Sequence, residues 1–254
     1  MFYLSVLAIF KNETDNLKVW IEHYLWQGVS HFYLIDNGST DSPLNILQEY
    51  INNGIVTYYF KPEKHMQTEH YRWVFDYENM KTKTVWLAVC DMDEFFYGVD
   101  KKLTTKLKAL EYFNVIYANW YMFGSDNLIK QPADIRTSII HRKPKIHENT
   151  KYIFKPASIK TSSMIWIHGI VKPGTMNPLK THPKIRIANK LIKLNHYPIQ
   201  SLEFFKKVKM TRGSANVSKH DKVRDMEYFK RYDSGTDFKD DILKNLIENA
   251  PSDY

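Results

Sequence analysis

The amino-acid sequence predicts an α/β fold in which helices flank a mostly parallel central sheet. Through the first 100 residues, short and almost continuous apolar runs alternate with segments whose apolar residues recur at helical spacing. Apolar runs without polar alternation are typical of strands buried on both faces, as in parallel sheets. A β-α-β-α-β-α-β order then favours parallel strands joined by right-handed crossovers.

The first elements show how the pattern predicts each strand and helix. Residues 2–10, FYLSVLAIF, are almost all apolar and predict a buried strand. Apolar residues between Leu17 and Leu25 then fall at helical spacing, so a helix follows with Thr14 or Asp15 as its N-cap. Residues 31–36, HFYLID, form the second predicted strand.

The next elements continue the alternation. The turn NGSTDSP at 37–43 ends in a Ser-Pro pair, which favours the start of a second helix. A third strand is predicted at 55–60, a helix from about 65 to 79, and a fourth strand at 85–90.

After residue 100 the pattern loosens. The clearest signals are a helix near 103–112, a strand at 115–120, strand-like pieces at 165–171 and 190–197, and helices from residue 202 onward. No internal repeat is visible. We therefore expect one domain over residues 1–254, with an irregular second half.

Composition restricts the class of protein. A chain of 254 residues with 43% hydrophobic and 15% aromatic residues can bury a sizeable core. Its longest apolar runs reach about eight residues, well short of the ~20 that a membrane span needs, and the strand-like run after Met1 has no basic n-region or cleavage site of a secretion signal. The single cysteine, Cys90, excludes an intramolecular disulfide and any multi-cysteine metal site. We expect a cytoplasmic protein without a transmembrane segment.

The net charge of +8 favours anionic partners. Nine Lys and Arg stand against three Asp and Glu between residues 206 and 231, whereas residues 85–100 contain no basic residue. This contrast predicts one site that combines a cation-seeking acidic spot with an anion-seeking basic segment. The basic segment also suits a different class of protein, a polyanion-binding module without catalysis, and peripheral contact with an anionic membrane is compatible with the charge.

Three carboxylates end the fourth predicted strand: Asp91, Asp93 and Glu94. Carboxylates two residues apart on an extended segment point the same way and repel each other, so that a cation is a natural partner. Oxygen ligands at this spacing suit Mg²⁺ or Mn²⁺, which bridge to substrate phosphates. Taken alone, the spacing also fits a solvated turn.

A second polar cluster follows the strand at 31–36. Asp36 at this strand end can accept hydrogen bonds from a base N–H or from ribose hydroxyls, while Asn37-Gly38-Ser39 forms a tight turn. A plain turn with an Asx cap is the alternative. In parallel sheets, ligands bind beyond the carboxyl ends of the strands, where strand order reverses, which places both clusters at one predicted site.

Several longer strings of this sequence form a recognisable set: AIFKNETDNLKVWIEHYLWQGVSHFYLIDNGSTD, Gln67, VWLAVCDMDEFF, NWYMFGSDN, KYIFKPASI, WIH and LNHYPIQSLEFFKKVKMTRGSAN. Together they resemble glycosyltransferases of families 2 and 92, which have the GT-A (Rossmann-like) fold. The resemblance covers most of residues 3 to 216, and its W-x-x-F-G and N-H-Y…S-x-E-x-F…K-x-x-x-R-G strings are more specific than D-x-D.

The resemblance implies a role for each matching position. Asp93 would ligate the metal, Mn²⁺ or Mg²⁺, with His196 as a further ligand and His168 as the second choice. Asp91 would reach the ribose or the metal and its waters. Asp36 would meet the base. The other residues implied to bind the nucleotide sugar are Asn12, Glu13, Gln67, Lys155, Lys209 and Arg212.

The resemblance also implies the halves of the domain and the reaction. Residues 1–100 would bind the nucleotide and residues 101–254 the acceptor. The expected activity is metal-dependent transfer of a hexose, from a UDP-linked donor to a saccharide acceptor in glycan biosynthesis, with inversion. Nucleic acid is not an expected partner. A sugar-phosphate nucleotidyltransferase is the leading alternative.

The general base is not identified by the resemblance. The family tends to have a Gly-His pair after F-G-S, whereas this chain reads Gly124-Ser125-Asp126-Asn127. Inverting transfer needs a carboxylate to take the acceptor proton. Asp126 is the predicted base, with Glu148 and Asp237 as alternatives.

Overall fold

The computed structural model describes residues 1–180, 182–213, 215, 224–250 and 254. Part of the basic segment at 206–231, namely 214 and 216–223, therefore lies outside the described residues. The α-helices are α1 Thr14–Trp26, α2 Leu44–Asn52, α3 Gln67–Tyr77, α4 Met80–Lys83, α5 Leu103–Ala109, α6 Ile135–Ser138, α7 Leu202–Lys207, α8 Met226–Asp233 and α9 Ile242–Asn249. Short 3₁₀ helices lie at Pro156–Ser158, Ser162–Met164 and Lys209–Thr211.

The strands follow the predicted runs in the first half, where β5 is an addition, and include further short pieces in the second half. They are β1 Phe2–Phe10, β2 His31–Asp36, β3 Val56–Phe60, β4 Thr84–Val89, β5 Glu94–Gly98, β6 Val115–Met122, β7 His141–Arg142, β8 Thr150–Phe154, β9 Ile165–Trp166, β10 Gly169–Ile170, β11 Ile185–Ile187, β12 Ile192–His196 and β13 Phe238–Lys239.

The fold is α/β as predicted, but its central sheet is mixed rather than mostly parallel. The order is β3-β2-β1-β4-β8-β6-β12-β5, with β11 beside β6. Strands β3, β2, β1 and β4 are parallel, whereas β8 runs antiparallel to β4 and β6, and β5 runs antiparallel to β12. A parallel crossover needs a dozen or more residues, and the link from Val89 to Glu94 is far shorter, so β5 has to reverse direction.

The same short link shows that the sheet curls. Strand β5 stands four positions beyond β4 in the sheet order, which is roughly 19 Å in a flat sheet. The link is held in a tight turn, in which the Glu94 amide donates to the Asp91 carbonyl oxygen at 3.1 Å. The far end of the sheet therefore returns over the end of β4.

One edge of the sheet collects the predicted site residues. Strands β1, β2, β4, β6 and β12 all point the same way, so their carboxyl ends meet there. Strand β1 lies between β2 and β4, which is the point where strand order reverses and where ligands bind in α/β sheets. Asp36 and His196 end two of these strands, and Asp91 and Asp93 follow a third.

Helix α1 packs its buried face under this edge. Trp20 Nε1 donates to the carbonyl oxygens of Asp91 and Glu94 at 3.1 Å each. Tyr24 Oη donates to the Glu94 carbonyl oxygen at 3.1 Å. The residue before the helix is Glu13 rather than the expected N-cap at Thr14 or Asp15. The helix thus anchors the acidic turn through two buried aromatic side chains.

Both halves of the chain contribute to one sheet and to a common hydrophobic cluster. Strand β5 in the first half pairs with β12 in the second, and one hydrophobic cluster contains residues from Leu4 to Leu243. The piece predicted at 165–171 forms the two-stranded hairpin β9–β10. No helix in the described part of the chain is long and apolar enough to cross a membrane.

His23 should make the protein less stable as the pH falls below about 6.5. Its imidazole is fully buried on α1, and Nε2 donates to the Phe96 carbonyl oxygen at 2.8 Å. Burial, with a smaller effect of the Arg136 charge, lowers the pKa of His23 well below its ordinary value. Below pH ~6.5 the unfolded chain therefore binds a proton that the folded protein excludes. The free energy of unfolding should fall by up to about 1.4 kcal/mol per pH unit on acidification.

Urea unfolding at about pH 7, 6 and 5 measures this loss. The matched variant is His23→Gln, whose amide can still donate to the Phe96 carbonyl oxygen but does not titrate. We expect the variant to have a shallower dependence of stability on pH than the original chain. Equal slopes for the two proteins would contradict the assignment to His23.

Candidate active site

A cavity of about 680 Å³ lies over the carboxyl ends of β1, β4 and β12. It brings together most of the residues that the sequence singled out. Those that line it are Glu13, Gln67, Asp91, Asp93, His196, Lys209 and Arg212. His168 also lines the cavity, as do Lys11, Lys64 and Arg224. Carboxylates and basic side chains thus face the same space, as the charge pattern predicted.

The acidic turn after β4 is built around the buried Glu94. The Asp91 amide donates to Glu94 Oε2 at 2.9 Å, in addition to the bond from the Glu94 amide to the Asp91 carbonyl oxygen. Asp91 and Glu94, the first and last residues of the turn, are therefore joined by two hydrogen bonds. Burial raises the pKa of Glu94 well above its ordinary value, and Oε1 has no hydrogen-bond partner among the described residues. Glu94 therefore supports the turn from below, and one of its oxygens remains available.

Asp91 is held from two sides. Oδ2 accepts from Lys151 Nζ at 2.8 Å, and Oδ1 accepts from Gln67 Nε2 at 3.3 Å. The Lys151 side chain is fully buried, and its Nζ also lies 3.7 Å from Glu94 Oε2. Burial opposes its charge, but Asp91 and Glu94 outweigh burial and raise the pKa of Lys151 above its ordinary value. The sequence did not point to Lys151, which is a buried cation at the centre of the site.

Asp93 is paired with a second buried lysine. Lys209 Nζ donates to Asp93 Oδ2 at 2.8 Å and to Glu13 Oε1 at 3.1 Å, and Arg212 also donates to Glu13 Oε1. Burial disfavours the ionised form of Asp93, but Lys209 and His196 outweigh it and hold the pKa of Asp93 well below its usual range. Asp93 is therefore a carboxylate throughout the physiological range.

Asp93, Glu94 and His196 have the donor atoms of a divalent-cation site. One ligand atom from each lies within 4.8 Å of the others, and His196 Nε2 is 3.6 Å from Asp93 Oδ1. Two atoms that each lie about 2.1 Å from one ion can be up to about 4.2 Å apart, so the closer pair needs no rearrangement to share an ion. These residues fit the predicted metal in type and spacing. The expected third ligand was Asp91, and here Lys151 and Gln67 occupy its oxygens.

The two histidines flank the same tryptophan. The Trp120 ring centroid lies 4.4 Å from that of His196 and 5.3 Å from that of His168. Nδ1 of His168 lies 3.3 Å from the Thr150 carbonyl oxygen. Burial, followed by the Lys151 charge, lowers the pKa of His168 to about 4. His168 thus remains neutral and bound to β8, whereas Nε2 of His196 faces Asp93.

Asp36 and Asn12 build the turn beside the cavity. Asp36 is buried, with Oδ1 accepting from the Ser39 amide at 2.7 Å and Oδ2 from Tyr58 Oη at 2.8 Å. Asn12, at φ 53°, accepts from the Thr40 amide at 2.7 Å. Both oxygens of Asp36 are therefore already bound within the protein, and a contact with a base would replace one of these bonds.

Lys155 is not brought to the cavity. Its Nζ donates to the Glu111 carbonyl oxygen at 2.5 Å and lies 5.0 Å above the Trp86 ring. The Lys155 amide donates to the carbonyl oxygen of Asn114, the residue before β6. Lys155 therefore lies at the amino end of β6, on the opposite edge of the sheet from the site. Lys151, at the other end of the same strand, is the lysine that reaches the acidic turn.

Asp126 lines a different cavity, of about 1100 Å³. Its carboxylate accepts from the Ile140 amide at 2.7 Å and the His141 amide at 3.2 Å. The alternative base Asp237 lines that cavity too. Glu148, the other alternative, is exposed and stands beside Asn149, which lines the cavity of Asp93. Of the three, Glu148 is therefore the one that adjoins a lining residue of the cavity of Asp93.

Comparison with known proteins identifies the sequence family of this chain. The sequence model of glycosyltransferase family 92 matches residues 2–234. A glycosyltransferase family 92 protein of Ricinus communis is 23% identical over 239 residues, which cover 85% of this chain and 38% of the relative. The chain thus spans about 38% of the length of this curated relative.

Solved structures show only weak overall likeness. The alignment with residues 1–349 of TarS from S. aureus covers 98% of this chain and 72% of the TarS chain, with 11% identity and a TM-score of 0.43. The alignment with HddC from Yersinia pseudotuberculosis covers 82% of this chain and 97% of the HddC chain, with 13% identity and a TM-score of 0.41.

Proposed function

This chain belongs to glycosyltransferase family 92, and from that premise we propose that it is a metal-dependent glycosyltransferase. It would move a sugar from a nucleotide-sugar donor, UDP-hexose being the expected one, to a saccharide acceptor with inversion. The observation that supports this most is the position of Asp93 and His196. Both line the cavity at the edge where ligands bind in α/β sheets, with donor atoms 3.6 Å apart.

The charge balance of the site favours a diphosphate that arrives with a divalent cation. Among the ion-paired groups, the carboxylates of Glu13, Asp91 and Asp93 face the cations of Lys151, Lys209 and Arg212. These three negative and three positive charges cancel, and burial raises the pKa of Glu94 well above its ordinary value. The diphosphate of a nucleotide sugar alone would add about two negative charges beside these pairs, and burying unpaired charge is costly. A cation of charge +2 restores the balance.

Asp93 and His196 would hold the ion, with the unpartnered oxygen of Glu94 as the third donor. An imidazole ligand is acceptable to Mn²⁺ and less usual for Mg²⁺, so manganese is the expected metal. When bound, the ion would neutralise charge that develops on the departing nucleoside diphosphate.

Basic side chains would take the diphosphate oxygens. Lys209 and Arg212 follow α7 and already face the cavity, where both now bind Glu13. Their ammonium and guanidinium groups can exchange this carboxylate for phosphate oxygens, which are ligands of the same charge sign. Lys11, Lys64 and Arg224 add positive charge to the cavity wall.

Glu148 is the favoured general base under this proposal. The carboxylates within the cavity wall, Glu13, Asp91 and Asp93, are each bound to a cation in this structure. A base must be free to take the acceptor proton, and Glu148 is exposed near the cavity. Asp126 would act only if an acceptor spanned both cavities.

A panel of nucleotide sugars tests the function directly. We expect one donor, UDP-linked, to be turned over with release of free nucleoside diphosphate, and the rate to depend on added Mn²⁺. A nucleotidyltransferase would instead incorporate the nucleotide into its product. A polyanion-binding module would bind anions in a salt-dependent way that survives Asp93→Ala. Absence of transfer from every donor, with and without Mn²⁺, would refute the proposal.

A further inference from the structure

Lys151 enters the proposed function only as one positive charge of the site, although it is among the most deeply buried cations of the described chain. It lies at the amino end of β8, and its side chain is fully inaccessible to solvent. Removing an ammonium group from water costs several kcal/mol unless a partner compensates the charge. Its ionic partners are Asp91, at 2.8 Å, and Glu94, at 3.7 Å. Both belong to the acidic turn of the site.

The strand register fixes where this charge lies. Lys151 pairs with Ala118 of β6, and the next residue, Tyr152, pairs with Val89 at the end of β4. Strand β8 is thereby inserted antiparallel between two parallel strands. Its amino end meets their carboxyl ends, so the ammonium group lies beneath the turn that follows β4.

The contact with Lys151 fixes the orientation of the Asp91 carboxylate. Its carboxylate is 35% exposed and lines the cavity, while Lys151 holds Oδ2 from below and Gln67 holds Oδ1 from the side. Gln67 is itself bound to Tyr71 Oη at 3.0 Å. A carboxylate fixed through both oxygens has one orientation, and its exposed face is directed into the cavity.

A lysine is not needed here for packing. Replacing a buried ion pair by apolar side chains of similar volume is often neutral or stabilising, so a methionine could fill the same space. The positive charge of Lys151 therefore serves the site, because both of its ionic partners belong to the acidic turn.

We propose that Lys151 is a positioning residue that keeps Asp91 aimed at the nucleotide of the bound donor. This inference rests on the proposed function, because the ligand is a nucleoside diphosphate with its cation. Lys151 touches no substrate itself. It acts through Asp91, whose fixed carboxylate accepts hydrogen bonds from the ribose hydroxyls or from waters on the metal.

A double-mutant cycle with UDP and Mn²⁺ as the probe tests the inference, using calorimetric binding to the full chain. We expect Lys151→Met and Asp91→Asn each to weaken UDP binding about tenfold. The double variant should bind no more than about twofold worse than Asp91→Asn alone, because contacts that act as one unit are not additive. The matched control is Lys155→Met on the same segment, which should leave UDP affinity unchanged.

The outcomes separate the inference from the proposed function. UDP affinity that is unchanged in a folded Lys151→Met variant, or losses that multiply in the double variant, would overturn the positioning role alone. If the original chain binds neither UDP nor another nucleoside diphosphate with Mn²⁺, the proposed function fails and the inference fails with it. If Lys151→Met does not fold, the double variant still tests the inference, because it carries no unpaired Asp91 carboxylate. Its UDP affinity is then compared with that of Asp91→Asn, and a difference of more than about twofold would overturn the positioning role.

Discussion

Asp93→Asn should lower kcat/KM for sugar transfer by roughly 1,000-fold or more. The amide keeps the size of the side chain but loses the charge that faces His196 Nε2 at 3.6 Å. It also offers the cavity one oxygen in place of two, and its nitrogen cannot bind a cation. The loss should appear as an absence of stimulation by Mn²⁺ when nucleoside diphosphate release is measured over a range of metal concentrations.

The fold should survive this substitution, which makes the loss interpretable. Lys209 remains paired with Glu13 at 3.1 Å when Asp93 loses its charge, so no buried cation is left alone. The matched control is Asp15→Asn, which removes the same charge from a surface pair with Lys207 and should leave transfer unchanged. A folded Asp93→Asn protein that keeps transfer within tenfold of the original, with Mn²⁺ stimulation intact, would exclude Asp93 as the metal ligand.

The strand-end pattern of the sequence pointed to Asp93, whereas His196 was implied by the family resemblance. A buried apolar run ends at Val89 and polar groups follow it, and His196 ends another run. Once the strands are parallel, their carboxyl ends meet at one edge. The mixed character of the sheet does not disturb this, because β6 and β12 keep the direction of β4.

Lys151 could not be predicted in the same way. Within KYIF it looks like any lysine beside a short apolar run, and only the register with β4 and β6 shows where its ammonium group lies. The resemblance pointed instead to Lys155, four residues later. At a rise of about 3.3 Å per residue, that difference moves the side chain about 13 Å along the strand. This distance carries it from the site to the opposite edge of the sheet.

Glu94 and Asp36 show a second limit of sequence patterns. Both are acidic residues at strand ends, and the sequence does not distinguish a side chain that faces a ligand from one that supports a turn. Glu94 binds the Asp91 amide and Asp36 binds the Ser39 amide, so both support turns. The partner that decides this in each case is a backbone N–H group, which every residue except proline possesses.

Lys209→Met should have opposite effects on the two ligands of the site. Lys209 Nζ lies 2.8 Å from Asp93 Oδ2, so an ammonium group stands beside the proposed metal ligand and repels a divalent cation. Without it, the free protein should bind Mn²⁺ about tenfold more tightly, since like charges this close cost more than 1.4 kcal/mol even at an effective dielectric constant near 20. UDP binding in saturating Mn²⁺ should weaken by about tenfold or more, because the diphosphate loses a charge-assisted contact.

Two separate titrations measure these effects, one following free Mn²⁺ by electron paramagnetic resonance without nucleotide and one following UDP by calorimetry. Lys207→Met is the matched control, because Lys207 ends α7 two residues before Lys209 and pairs with Asp15 at the surface. We expect neither affinity to change in that variant. Weaker Mn²⁺ binding by Lys209→Met would show that the ammonium group assists the metal site rather than competing with it. UDP binding by the original chain that needs no Mn²⁺ and is lost in Lys209→Met would mean that Lys209 itself serves as the cation of the donor site.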